Sequence, residues 1–124
     1  MVSQRMITRE LISDLFESTR AKARWSIDDA CLWGYFFTDT DRSKLLRAGA
    51  DLEARGFRVV GIMDSTQDGE DPEALFLHVE RVERHTVDSL LALNAELYAF
   101  AEKHDLGSYD GMDVGPAEAT PKSS

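Results

Sequence analysis

The hydrophobic positions divide the chain into seven segments, each with a helical or a strand pattern. From Met6 to Arg24, the residues Ile7, Leu11, Leu15 and Phe16, with Ile12 beside them, recur every three to four positions. That spacing predicts an amphipathic helix, with Ser3 or Thr8 as a hydroxyl cap. Trp25 to Asp29 breaks the pattern. Cys31 to Phe37 then reads Cys-Leu-Trp-Gly-Tyr-Phe-Phe, seven uncharged residues of which four are aromatic. The run is too short for a core helix and rich in strand-forming rings, so it predicts a central strand buried on both faces. Trp33, Tyr35 and Phe37 point one way, Leu32 and Phe36 the other. Gly34 leaves a gap for a neighbouring side chain or helix. A second reading of this strand leaves one aromatic face partly open to a partner.

Thr38 to Asp41 supplies caps for a helix over Arg42 to Arg55, with Leu45, Gly49 and Leu52 inward and Gly56 at its end. Phe57 to Met63 predicts a second strand, less enclosed because it carries Arg58. Asp64 to Pro72 is polar, with a turn at Asp68-Gly69. Ala74 to Val82 predicts a third strand, in which Leu75, Leu77 and Val79 form a drier face than Phe76, His78 and Glu80. Thr86 caps a helix reaching Lys103 or His104, striped with Leu90, Leu93, Leu97, Phe100 and Ala101. Leu106 to Val114 predicts an edge strand.

Without its first helix this order is β-α-β-β-α-β, a ferredoxin-like α+β sheet. Residues 1–114 are expected to form one domain and 115–124 a flexible tail. The N-terminal helix is expected to cover the other sheet face or a second copy of the chain, which leaves a homodimer open.

Composition narrows the classes. The 124 residues suit one domain able to bury its own core. No apolar run approaches the roughly 20 residues of a membrane helix, and no signal-type block follows the first residues, so the expected place is the cytoplasm. The lone Cys31 excludes an internal disulfide and reads as a small buried hydrophobe. The net charge is −9. Residues 1–24 hold five basic and three acidic side chains, and the remainder nine and twenty. Such a body repels phosphate backbones and attracts a basic protein surface.

Candidate chemistry is sparse. Asp39 and Asp41 end a strand as Asp-x-Asp, the pattern of a metal-assisted phosphotransferase nucleophile and its acid-base partner. The lysine and further carboxylates that chemistry needs are not evident, and helix capping explains both residues. Asp64, Asp68, Glu70, Asp71 and Glu73 form an acidic run with poor calcium-loop spacing, better suited to luring a basic partner. His78, His85 and His104 lack metal-ligand spacing. No cofactor is implied. A ferredoxin-like sheet also suggests the RNA-recognition module, which stacks bases on its two central strands. The third strand here lacks that module's basic, glycine-rich signature; if RNA bound, truncating Trp33 or Tyr35 would abolish it.

The run Ala101-Glu102-Lys103-His104-Asp105-Leu106, followed by Tyr109-Asp110-Gly111, resembles the regulator of ribonuclease activity B family, inhibitors of ribonuclease E. The likeness takes in the order of elements from Thr38 onward, including Arg55-Gly56-Phe57, about two-thirds of the chain. The resemblance implies a ferredoxin-like domain without catalysis that binds ribonuclease E and restrains RNA decay. It marks Tyr109, Asp110 and Gly111 as family positions, with a structural role for the tyrosine and glycine or a contact role for all three. Members often end in a strongly acidic tail, and residues 115–124 are not of that kind. The expectation is thus a protein-binding regulator that meets ribonuclease E, or another basic protein surface, through the 64–73 loop and adjacent strand edges.

Overall fold

The computed structural model describes residues 7–64 and 74–117. Its elements run α1 (Arg9–Lys22), β1 (Cys31–Asp39), α2 (Arg42–Ala54), β2 (Arg58–Asp64), β3 (Leu75–Glu83), α3 (Val87–Lys103) and β4 (Ser108–Pro116). The strands form one antiparallel sheet in the order β2-β3-β1-β4. That is the expected ferredoxin-like arrangement, preceded by one extra helix. The most aromatic strand, β1, lies inside the sheet between β3 and β4, and β2, which carries Arg58, is an edge.

The helices start and stop where their caps dictate. Thr8 accepts from Leu11 N, Asp41 from Ser43 N, and Thr86 and Ser89 form a reciprocal capping box. Gly56, at φ 102°, ends α2 in the left-handed region, while Phe57 N returns to Leu52 O. After α3 the same turn is made by Asp105 at φ 57°, with Leu106 N bonded to Ala101 O and Lys44 Nζ holding the Asp105 carbonyl and carboxylate.

The core has one side. Trp33, Tyr35 and Phe37 of β1 are fully buried, with Leu77 and Val79 of β3 and Tyr109 of β4 beside them. Against them lie Ile12 and Phe16 of α1, Leu45, Ala48 and Leu52 of α2, and Leu90, Leu97 and Phe100 of α3. Phe16 stacks on Trp33, Phe57 meets Tyr35 edge-on, and Phe100 does the same to Phe37. Burying each such ring contributes roughly 1.5–3 kcal/mol relative to exposure. α1 therefore joins α2 and α3 in a single helical layer. It also ties to α3 through Arg9–Asp88, and the segment before it through Ile7 N to the Tyr98 hydroxyl.

Two expectations change here. α1 does not cover the other face of the sheet, and β1 is not buried on both faces. Leu32 and Phe36 are only half-buried. An amphipathic helix shows which stripe it buries, but not which of two apolar surfaces receives that stripe. Phe16 finds the larger target in Trp33.

Polar side chains close the rim of the helical layer. Tyr35 donates to Glu83 Oε2 at 3.0 Å, His85 Nε2 meets the same oxygen at 2.9 Å, and Arg81 Nε donates to Oε1 at 2.8 Å. Burial alone would raise the Glu83 pKa; the bonds from His85 and Tyr35 and the charge of Arg81 outweigh it and hold the carboxyl below its ordinary range. His104 caps α3 and pairs with Asp51 at 3.0 Å. Both histidines are thus engaged in holding elements together.

Candidate functional site

The uncovered face of the sheet is where the fold leaves surface unspent. Cross-strand register arranges it in four rows. The first is Ser108, Thr38, Phe76 and Met63, with the two hydroxyls 2.8 Å apart. The second is Gly111, Phe36, His78 and Gly61. The third is Asp113, Gly34, Glu80 and Arg58. The fourth is Gly115, Leu32 and Val82. Met63 and Val82 are exposed, and Leu32, Phe36, Phe76 and His78 are half-buried. An apolar strip thus runs obliquely over the two central strands, with charge confined to the third row.

In that second row Phe36 and His78 stack across the strands, ring centres 4.3 Å apart and planes 16° from parallel. Glycines flank the pair at both ends. A Cβ built on Gly111 or Gly61 would meet nothing within 4 Å, so the stack stands in relief. Gly34 is different. A Cβ there would fall 2.5 Å from Asp113 Oδ1 and 2.9 Å from His78 Nε2. Those two side chains lean over Gly34 and fill the gap foreseen in the sequence. Leu32, Gly34, His78, Glu80, Asp113, Val114 and Gly115 enclose a shallow cleft of about 210 Å³. Burial pushes the His78 pKa below the ordinary imidazole value; the Asp113 carboxylate works against this and Arg58 with it. Near pH 7 the ring is neutral. Glu80, though buried, is ion-paired with Arg58.

The residues singled out from the sequence fall in three places. Tyr109 is in the core, its hydroxyl donating to Asn94 Oδ1 at 2.5 Å while Asn94 Nδ2 donates to Leu90 O. Asp110 is the extra residue of a bulge, since Phe37 pairs with Tyr109 and Phe36 with Gly111. Its carboxyl pKa is raised by burial. Gly111 has φ 135°, a conformation that side chains resist. Asp64 is exposed at the end of β2. Asp68, Glu70, Asp71 and Glu73 lie outside the described residues.

Asp39 and Asp41 use their oxygens on main-chain donors. Asp39 accepts from Asp41 N and Gly107 N, both at 2.8 Å, and Asp41 caps α2 through Ser43 N and Oγ. They fasten β1 to α2 and to the turn before β4. No group of three or more metal-ligating side chains occurs among the described residues.

The sequence reading missed Phe36, Phe76, His78 and Asp113 as site residues. The signal for the first three was the alternation itself: Phe36 was placed opposite Trp33, and Phe76 and His78 opposite the dry side of β3. What was lacking was the knowledge that no helix among the described residues covers that side. Trp33 and Tyr35, chosen as RNA-stacking rings, are fully buried under the helices and present no face to a base.

The family model described as regulator of ribonuclease activity B matches residues 10–114. The chain belongs to that family. The match takes in all but the first residue of α1 and the last two of β4, so the uncovered sheet face, apart from Gly115, lies within the regulator of ribonuclease activity B domain itself. No individually curated protein matches the chain. No helix among the described residues is long and apolar enough to cross a membrane.

Proposed function

We propose that this chain is a non-enzymatic regulator that binds ribonuclease E and restrains its cleavage of RNA, meeting it on the uncovered face of the sheet. The observation that carries the reading is the two-sidedness of β1. One side is consumed by the core, while the other offers Leu32, Phe36, Phe76, Met63 and Val82 as a half-open apolar strip. Apolar surface gathered on one face is the common form of a protein-binding site. The net charge of −9 favours encounter with a basic surface. Family membership supplies the class of partner, and ribonuclease E is its named candidate. Asp64, exposed at the end of the β2 edge, adds to the acidic charge that would meet such a surface.

The test is cleavage of an RNA substrate by purified ribonuclease E with the chain added in increasing amounts, beside a retention assay. Inhibition and retention are expected at low salt, weakening as salt screens the encounter. An absence of both at low salt removes this partner.

A second reading has one observation in its favour. Phe36 and His78 lie on the two central strands of an open antiparallel sheet, where RNA-recognition modules stack bases. Asp113 and Glu80 in the adjoining row, and the acidic body, oppose a phosphate backbone. The gel shift that separates the readings uses Phe36→Ala, since truncating Trp33 or Tyr35 would only disturb the core.

A further inference from the structure

The uncovered face holds a slot whose chemistry selects one kind of group. His78 covers one face of the Phe36 ring at 4.3 Å, in nearly parallel planes. The other face of the ring is turned toward β4, where the residue opposite is Gly111. Gly111 has no side chain to cover it, and the space above its Cα is empty to 4 Å. The result is an aromatic face left uncovered at the β4 edge. One row along, on the same face, stands Asp113, two residues from Gly111 and directly opposite Gly34. Its carboxylate reaches over Gly34, which His78 Nε2 also approaches, while the residue stays exposed. Among the described residues no lysine or arginine pairs with it; Arg58, in the same row, is held by Glu80 at the far end.

A flat ring face left open beside a glycine and a carboxylate one row along suit a guanidinium. Arginine stacks on aromatic faces through its delocalised plane while its N–H groups bond a carboxylate in that plane. A lysine ammonium has no plane to offer, and a nucleobase would carry its phosphate toward Asp113 and Glu80. His78 adds no opposing charge near neutrality, since burial keeps it unprotonated.

The geometry points to the Phe36–Gly111–Asp113 slot as the recognition site for an arginine side chain on the partner protein. This deepens the proposed regulator reading and rests on it for the partner's identity. It gives Gly111 a use beyond its backbone angle: any side chain there would fill the slot.

The experiment has two arms. In the first, the full chain labelled with ¹⁵N is titrated with acetyl-Gly-Arg-Gly-amide, with its lysine and citrulline counterparts, and with a single-stranded RNA octamer. The arginine peptide is expected to move the amide signals of Gly34, Gly111 and Asp113, the citrulline peptide to leave them in place, and the lysine peptide to move them less. Asp113→Asn and Phe36→Leu should each weaken the arginine response by about three- to tenfold. Equal responses to arginine and citrulline, no change in either variant, or RNA moving these signals while arginine does not, would each overturn the assignment. In the second arm, ribonuclease E is titrated with the wild-type chain and both variants. Binding of all three with equal affinity defeats the slot and leaves the regulator reading standing. An arginine response in the first arm with no ribonuclease binding by the wild type defeats that reading and leaves the slot standing. Asp113 is exposed and Phe36 only half-buried, so both variants keep the core intact.

Discussion

Trp33 and Phe36 sit three residues apart on one strand and live under opposite rules. Trp33 has no exposure, stacks on Phe16 of α1 and meets His85 edge-on. Phe36 has a ring for a neighbour on one side and a glycine on the other. Both are large aromatics in the least polar segment of the chain, yet one has its surroundings completed by the fold and the other does not. The difference shows that hydrophobicity sets how much surface wants cover, whereas layer assignment sets which surface receives it. Three helices share one side of this sheet, and the other side keeps half-buried apolar surface.

Replacing both rings puts the largest effect on that contrast. Trp33→Ala is expected to cost about 3–5 kcal/mol, because it opens a cavity among residues from α1, β1 and the entrance to α3. Phe36→Ala should cost about 1 kcal/mol, the share of a half-buried ring. Urea midpoints measure both. The order should invert for ribonuclease binding per folded molecule, where Phe36→Ala is the damaging change. Equal stability losses at the two positions would mean that the second face is covered after all.

The contrast also marks how far the sequence was legible. Periodicity located all seven elements, and the caps Thr8, Asp41 and Thr86 were visible as hydroxyls and a carboxylate ahead of apolar stripes. The drier side of β3 was read correctly from Leu77 and Val79. What could not be read was the second face of β1. A strand carrying Leu32 and Phe36 on one side and Trp33, Tyr35 and Phe37 on the other looks the same whether its second side meets a helix, another chain or water. Only the docking of α1 beside α3, a contact between residues far apart in sequence, decides it. The slot beside Phe36 was hidden for a related reason. It depends on Gly111 lying opposite Phe36, and the bulge at Asp110 shifts that register by one residue. Tyr109 was the easier member of its triplet: its expected role, closing the core edge through a bonded hydroxyl, is what Asn94 provides.

That bond gives the middle-sized prediction. Asn94 is buried with 1% of its surface exposed, and its Oδ1 accepts from Tyr109. Tyr109→Phe keeps the ring against Phe37 and Tyr98 but strands the amide oxygen. The expected loss is about 1–3 kcal/mol, read as a lowered urea midpoint. The arginine response at Gly111 should survive, because the lost bond lies on the helical side. If Tyr109→Phe abolished that response without unfolding the chain, the two faces would be coupled through the β4 bulge rather than independent.

The smallest effect is a pH dependence confined to the open face. In the folded chain the His78 pKa lies below its ordinary 6.5, chiefly through burial, with Asp113 opposing and Arg58 assisting. Between that lowered value and 6.5 the unfolded chain binds more protons, so stability falls as pH drops through the window. Protonating His78 also places a cation against the far side of the Phe36 ring, where it competes with a guanidinium for the same electron density. Partner binding should therefore weaken over the same interval in which stability begins to fall. His78→Phe keeps the stack and cannot take the proton. Comparing it with the wild type between pH 7 and about pH 5.5, in urea titrations and in ribonuclease retention, isolates the imidazole from carboxylates that titrate lower. The variant should lose the decline in both measurements. A decline that persists in His78→Phe would show that the acid sensitivity does not come from the imidazole on the open face.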